Sequence, residues 1–318
     1  MDKVICKIDN EEFGSDKELH KHLRKHKMRM AEYYQTYYPR HDKHTGDIIK
    51  FKNKEQYLNT EFNTRTNLRM WLKGISIDEA KGYCQNLLTS RKEKKSLEFA
   101  PTQVELRSIM SPPIQYYNQL FGDYYELCEK LGFEIKYTNC DEIAHASTYD
   151  SNKYMIYVDT REQRPLIFHR PIELKALKYG DYAFNDREAT CNCYIERKSL
   201  IDFIGTLSGG YDRFCKEIER SIEDKANLII VIEAKLINAL NFNHIRKSHN
   251  KAKVYNKVKA TPEFIFHRVR KLIQEYPMVQ FLFVEGRKES ARVIEKIFTS
   301  ECAYKKIDLQ LAYDNKKL

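Results

Sequence analysis

The stretch Cys193 to Phe214, CYIERKSLIDFIGTLSGGYDRF, constrains this chain more than any other. Its approach alternates like a strand, with Cys191, Cys193 and Ile195 on one face and Asn192, Tyr194 and Glu196 on the other. The charged residues Glu196, Arg197 and Lys198 then stand where an apolar segment gives way to a helix. Ionised side chains are seldom placed beside a core unless they are paired or bind a metal. The triplet is therefore either a solvated, ion-paired edge or a piece of chemistry.

The surrounding spacing favours chemistry. Asp181 and Glu196 flank a predicted hairpin, Asp181 to Asp186 and Thr190 to Glu196, joined by the polar turn Asn185-Asp186-Arg187-Glu188. Such a hairpin brings two carboxylates together at its open end. Asp159 and Glu162 follow a further apolar strand, Tyr154 to Val158. Oxygen-only ligands at a strand edge suit Mg²⁺ or Mn²⁺, so Asp159, Glu162, Asp181 and Glu196 are the candidate metal ligands. Lys198 would orient or deprotonate an attacking water, or stabilise charge in the transition state. The plain alternative is a surface ion-pair network.

Gly180-Asp181, a spacer, Glu196-Arg197-Lys198, three residues and Asp202 resemble the GDX(n)ERKX(3)D signature of the XPF-type structure-selective endonucleases. Val158-Asp159-Thr160-Arg161-Glu162 is similar to their upstream VDxRE motif, and Arg213-Phe214 to a later arginine motif. The resemblance spans roughly Lys153 to Phe298. It implies a metal-dependent endonuclease hydrolysing phosphodiester bonds, at branched or otherwise structured DNA, to leave a 3′ hydroxyl and a 5′ phosphate. The catalytic set it implies is Asp181, Glu196, Arg197, Lys198 and Asp202. Arg197 would pair with a carboxylate or phosphate, Asp202 would orient a neighbour, and Arg213 would contact DNA. Two departures stand out. No paired Gly-apolar-Gly hairpins are seen after Phe298, which puts the family's partner dimerisation in doubt and leaves homo- and heterodimers both open. Glu217 occupies a position where the family often has Gln.

The fold class implied is α/β, with a restriction-endonuclease-like core over residues 150–318 behind a small ββα finger and a mainly helical N-terminal region. Leu228 to Ile232 reads as a central strand covered on both faces, and Gln280 to Val284 as a second. Helices are expected from Tyr211 to Ile222, Pro262 to Glu275 and Lys288 to Phe298. Arg246, Lys247, Lys251, Lys253, Lys257 and Lys259 fall on a connection, as a phosphate-contacting loop or a merely solvated one.

Residues 1–27 resemble a single C2H2 zinc finger, with Cys6, Phe13, Leu19, His22 and His26 in register. Asp9 replaces the second cysteine and keeps the twelve-residue gap to His22. Cys6, Asp9, His22 and His26 are thus candidate Zn²⁺ ligands, the carboxylate weakening the site relative to a thiolate. A helical hairpin without metal is the alternative. Residues 28–95 are basic and aromatic, with Tyr33, Tyr34, Tyr37, Tyr38, Phe62 and Trp71 among many Lys and Arg. They form a base-stacking surface or a small helical core. Residues 96–140 carry helix starts at Thr102 with Glu105, Ser111-Pro112 and Asp123 with Glu126, matching one at Ser76 with Glu79. They resemble the helical repeats attached to some homing endonucleases, which would place Gln115 and Asn118 as base readers. A packing module without DNA contact is the alternative.

The formal charge of +10 and pI near 9.0 favour a polyanionic partner, DNA being the simplest. The scattered cysteines, with no signal peptide and no long apolar run, read as a soluble intracellular protein of the cytoplasm, or of the nucleus in a eukaryote, with no membrane partner. Two rival functions stay open: a site-specific homing-type or mobile-element nuclease, and a non-catalytic DNA-binding regulator.

Overall fold

The computed structural model describes residues 3–50, 60–139, 155–185, 192–242, 260–300 and 302–318. They fall into two compact units, Met1–Cys84 with Ile109–Pro112, and Gln85–Ser108 with Pro113–Leu318.

The first unit opens with an antiparallel pair, β1 (Val4–Ile5) and β2 (Glu12–Phe13), followed by the helix Asp16–His22. Ser15 caps that helix, and the Glu18 carboxylate accepts from the Gly14 N–H at 2.9 Å, so the chain turns sharply into it. Cys6, Leu19, Leu23 and Tyr33 form its buried core, with Phe13 only partly covered. Tyr33 comes from the next helix, Met30–Tyr37, and its hydroxyl accepts from the Lys7 N–H at 2.8 Å. For Tyr33 and Phe62, both fully buried, the aromatic stretch is core rather than stacking surface. The turn after Pro39 is organised by Asp42, which accepts from the backbone of His44 at 2.8 Å and Thr45 at 3.0 Å and from the Asn67 side chain at 3.1 Å. The helix Arg65–Gly74 follows, capped by Thr64. The Ser76–Glu79 capping box is present, with reciprocal contacts of 3.0 and 3.3 Å.

The second unit is built on a six-stranded mixed sheet in the order β4-β3-β5-β6-β7-β8. The strands are β3 (Met155–Asp159), β4 (Ile172–Lys175), β5 (Tyr182–Asn185), β6 (Cys193–Lys198), β7 (Asn227–Ile232) and β8 (Val279–Phe283). β5 pairs antiparallel with both β3 and β6, whereas β6, β7 and β8 run parallel. This includes the expected hairpin, in the register Tyr182 opposite Ile195; its turn lies outside the described residues. β7 is buried throughout because both faces are covered. Leu228, Ile230 and Ile232 pack with the helices Leu200–Ser208, Tyr211–Glu223 and Pro262–Glu275. Ile229 and Val231 pack with Gly286–Phe298 and Leu309–Asp314.

Residues 96–108 and 113–139 belong to this unit. The Gln103 N–H donates to Asp308 at 2.6 Å and Lys136 Nζ donates to the Ile273 carbonyl at 2.9 Å. The Thr102–Glu105 capping box forms, and Asp123 caps Tyr124–Lys130. The start expected at Ser111-Pro112 does not form. The helix begins at Ile114 with Pro113 at its cap, and the buried Gln103 side chain accepts from the Ile114 N–H at 3.0 Å, doing what Ser111 was expected to do. No helix among the described residues is long and apolar enough to cross a membrane.

Candidate active site at the ends of β5 and β6

Side-chain alternation on β6 sorts the Glu-Arg-Lys triplet. Cys193 and Ile195 point into the core beneath Gly286–Phe298, so Arg197 shares that side, while Glu196 and Lys198 emerge on the other. Asp181, one residue before the Tyr182–Ile195 pair, falls opposite Glu196. Its N–H donates to the Ile195 carbonyl at 2.8 Å, its carbonyl accepts from the Asp159 N–H at 2.9 Å, and its Oδ2 accepts from the Arg197 N–H at 2.7 Å. β3 and β6 therefore hold the Asp181 backbone from both sides, and the Arg197 N–H aims its carboxylate.

Gly180 makes the close approach possible. Its φ of +60° is left-handed, and a Cβ there would lie 2.6 Å from the Ile195 carbonyl oxygen.

The electrostatics are those of crowded carboxylates. Burial first, and then the charge of Glu196, push the Asp181 carboxyl up to about 7, with the Arg197 N–H pulling it down. Glu217, from Tyr211–Glu223, is also raised, by burial and then by Glu196. The counter-charge on this side is Lys198, whose Nζ is 2.6 Å from Glu196 and 5.5 Å from the centre of the Phe214 ring. Asp202 accepts from Ser199 Oγ at 2.6 Å, and Ser199 in turn accepts from the Asp202 N–H at 3.2 Å; the two hold the helix start directly after Lys198.

The remaining carboxylates are engaged by arginines. Both Asp159 oxygens are occupied, by Arg161 at 2.7 and 3.0 Å and by the Leu177 N–H at 2.8 Å, and Arg161 holds this carboxyl low. Glu162 pairs with Arg197 at 2.9 Å, and Arg197 pairs again with Glu233 at 2.9 Å, all three side chains being nearly buried. The geometry thus brings Asp181, Glu196 and Lys198 together and places Asp159 and Glu162 in supporting ion pairs.

Glu233 escaped the sequence reading, as did Arg287, which lies 3.6 Å from it. A signal was present, since Glu233 directly follows the apolar run of β7, just as Asp159 ends β3.

Arg213 is exposed on Tyr211–Glu223. Gln115 is spent on Gln103 at 3.1 Å and Asn315 at 2.9 Å, and Asn118 closes the turn into the next helix by accepting from the Tyr124 N–H at 2.8 Å. Arg246, Lys247, Lys251 and Lys253 lie outside the described residues, as does Cys191. In the first unit, the donor atoms of Cys6, Asp9, His22 and His26 converge.

A mixed sheet covered by helices on both faces, with acidic groups and a lysine at the ends of an antiparallel pair, is a restriction-endonuclease-like α/β fold. Residues 158–297 match the family model of the ERCC4 domain. Among solved structures, XPF from Aeropyrum pernix aligns at 21% identity with a TM-score of 0.33, over 45% of this chain and 59% of that one. XPF from Aeropyrum pernix in complex with DNA aligns at 21% identity and a TM-score of 0.33, over 48% and 65%. The chain spans less than two thirds of either XPF chain. No curated protein sequence matches it.

Proposed function

We propose that this protein is a divalent-metal-dependent DNA endonuclease acting on branched or otherwise structured DNA. The observation that carries the reading is the placement of Asp181 beside Glu196 and Lys198 within the stretch that matches the ERCC4 domain. The donor set there is all carboxylate oxygen, which fits Mg²⁺ or Mn²⁺, and a cation would relieve the crowding that raises Asp181. A bound ion would supply Lewis-acid activation of water and phosphate. Asp181 and Glu196 would hold it, with Asp181 oriented by the Arg197 N–H. Lys198 would position the attacking water or offset charge developing on the phosphate oxygens.

Asp159 and Glu162 support this set through Arg161 and Arg197, and Asp202 fixes the helix that follows Lys198. Arg213 and the excess of basic residues suit DNA as substrate and partner. The internal hydrogen bonds of Gln115 and Asn118 weigh against sequence-specific reading by that helix.

Cleavage of forks, flaps and four-way junctions should be compared with that of linear duplex in Mg²⁺, Mn²⁺, Ca²⁺ and excess EDTA. The expected result is Mg²⁺- or Mn²⁺-dependent cutting that favours branched substrates, with Ca²⁺ supporting little. Full cleavage in EDTA removes the metal from the reading, and no cleavage of any substrate removes the enzyme.

A further inference from the structure

The nuclease reading leaves one side-chain cluster unused. Asp9 Oδ2 lies 2.8 Å from His22 Nε2 and 2.9 Å from His26 Nε2, and the two Nε2 atoms are 2.9 Å apart. Cys6 Sγ is 3.9 Å from His26 Nε2, and the four donor atoms all lie within 4.8 Å of one another. The His22 side chain is 3% exposed. Its Nδ1 is buried without a hydrogen-bond partner, and the Glu11 carboxylate lies 3.4 Å away.

Protons alone do not satisfy this arrangement. A neutral imidazole has one N–H. If His22 carries it on Nε2 toward Asp9, the bare Nδ1 lone pair faces Glu11. If Nδ1 carries it, the bare Nε2 lone pair faces Asp9 Oδ2. Protonating both nitrogens of His22 leaves either the bare His26 Nε2 lone pair against Asp9 Oδ2 or two N–H groups facing each other, each across 2.9 Å. A cation shared by Nε2, Nε2 and Oδ2 satisfies every atom, and it leaves Nδ1–H pointing at Glu11 as the outer carboxylate that orients a metal-bound histidine.

We propose that Cys6, Asp9, His22 and His26 bind one Zn²⁺. A tetrahedral zinc with bonds of about 2.0–2.3 Å holds its ligand atoms about 3.3–3.7 Å apart. The observed separations, from 2.8 Å up to at most 4.8 Å, bracket that range. One thiolate and one carboxylate cancel the charge of the ion, as two thiolates do in a C2H2 finger, and the Cys6 proton leaves on binding. The backbone is shaped for the site. The α-helix ends at His22, and tighter i to i−3 turns through Lys25, His26 and Lys27 swing the second ring back onto the first. The buried Tyr33 closes the core beneath Cys6.

This inference does not rest on the nuclease reading. Full-length protein made in zinc-supplemented medium should be assayed by elemental analysis after gel filtration, as wild type and as Asp181→Asn so that the acidic site cannot account for the metal. The expected result is about one zinc per chain in both. Cys6→Ser and His26→Ala should lose it, and Co²⁺ should give the visible bands of a tetrahedral thiolate site. Because those two variants could unfold, Asp9→Cys provides the independent arm: it should retain zinc longer against a chelator and strengthen the cobalt–thiolate absorption. Folded full-length protein that takes up neither zinc nor cobalt overturns the proposal, as does an Asp9→Cys variant with unchanged or weaker retention.

Discussion

Gly180→Ala tests whether the close crossing of β5 and β6 builds the site. The new Cβ would sit at a φ of +60°, a backbone conformation that costs an L-residue about 1–2 kcal/mol. It would also lie 2.6 Å from the Ile195 carbonyl oxygen and 2.9 Å from its carbon, atoms of a paired strand that cannot swing away like a side-chain tip. Forcing packed elements apart adds about 1–3 kcal/mol. The sum, about 2–5 kcal/mol, corresponds to a fall in Tm on the order of 10 °C for a domain of this size. Gly286→Ala is the control, since Gly286 has a φ of +76° but nothing within 4 Å of its would-be Cβ, and it should carry only the conformational cost. The Ile195 oxygen is also the acceptor for the Asp181 N–H, so the clash displaces Asp181 relative to Glu196. Cleavage should therefore fall beyond the loss of folded protein, by roughly 10²-fold for a displacement near 1 Å. Thermal melts and single-turnover cleavage on the same preparations read both effects. A Gly180→Ala protein that melts like Gly286→Ala and cuts like wild type would refute the reasoning.

Arg197→Met leaves Glu162 and Glu233 facing each other without their shared cation, and should cost about 3–5 kcal/mol in urea unfolding. Arg197→Lys, able to reach one partner, should fall between; a loss below about 1 kcal/mol for the methionine variant would show that the triad is not holding the strand ends. Asp308 is buried, and burial raises its carboxyl from 3.8 to about 6. Its proton is bound more tightly in the folded state, so the stability it contributes is full below about pH 4 and is lost as pH rises toward 6. The gap between wild type and Asp308→Asn should accordingly change by about 3 kcal/mol across that window, and a pH-independent gap would contradict it.

What the sequence disclosed was whatever a local pattern encodes. The five apolar residues Leu228 to Ile232 read directly as a doubly covered strand, and the Thr102–Glu105 and Ser76–Glu79 boxes as helix starts. The ordered carboxylates marked β5 and β6. Pairings between distant segments were not legible. β4, Ile172 to Lys175, alternates apolar and polar residues over only four positions and is exposed along its length, so its pairing with β3 rather than burial defines it as a strand. The helix start moves from Ser111 to Pro113, and Gln103, eleven residues before Ile114, accepts from the Ile114 N–H. Residue identity alone could not separate Asp159 from Asp181, because the difference lies in which arginine or backbone N–H each carboxylate meets across the sheet. By sequence Tyr33 suits either an aromatic surface or a small core, and only its packing against Cys6, Leu19 and Leu23 decides for the core.

The most direct test of the catalytic account is cleavage by Glu196→Gln, measured together with its DNA affinity and thermal stability. Glutamine keeps the volume and an acceptor for Lys198 but removes one negative charge from the pair with Asp181. If that pair holds the ion, cleavage should fall by on the order of 10²-fold or more, about 3 kcal/mol of transition-state stabilisation, while DNA binding and melting temperature persist. A stable, DNA-binding Glu196→Gln protein that cuts at the wild-type rate would contradict the account.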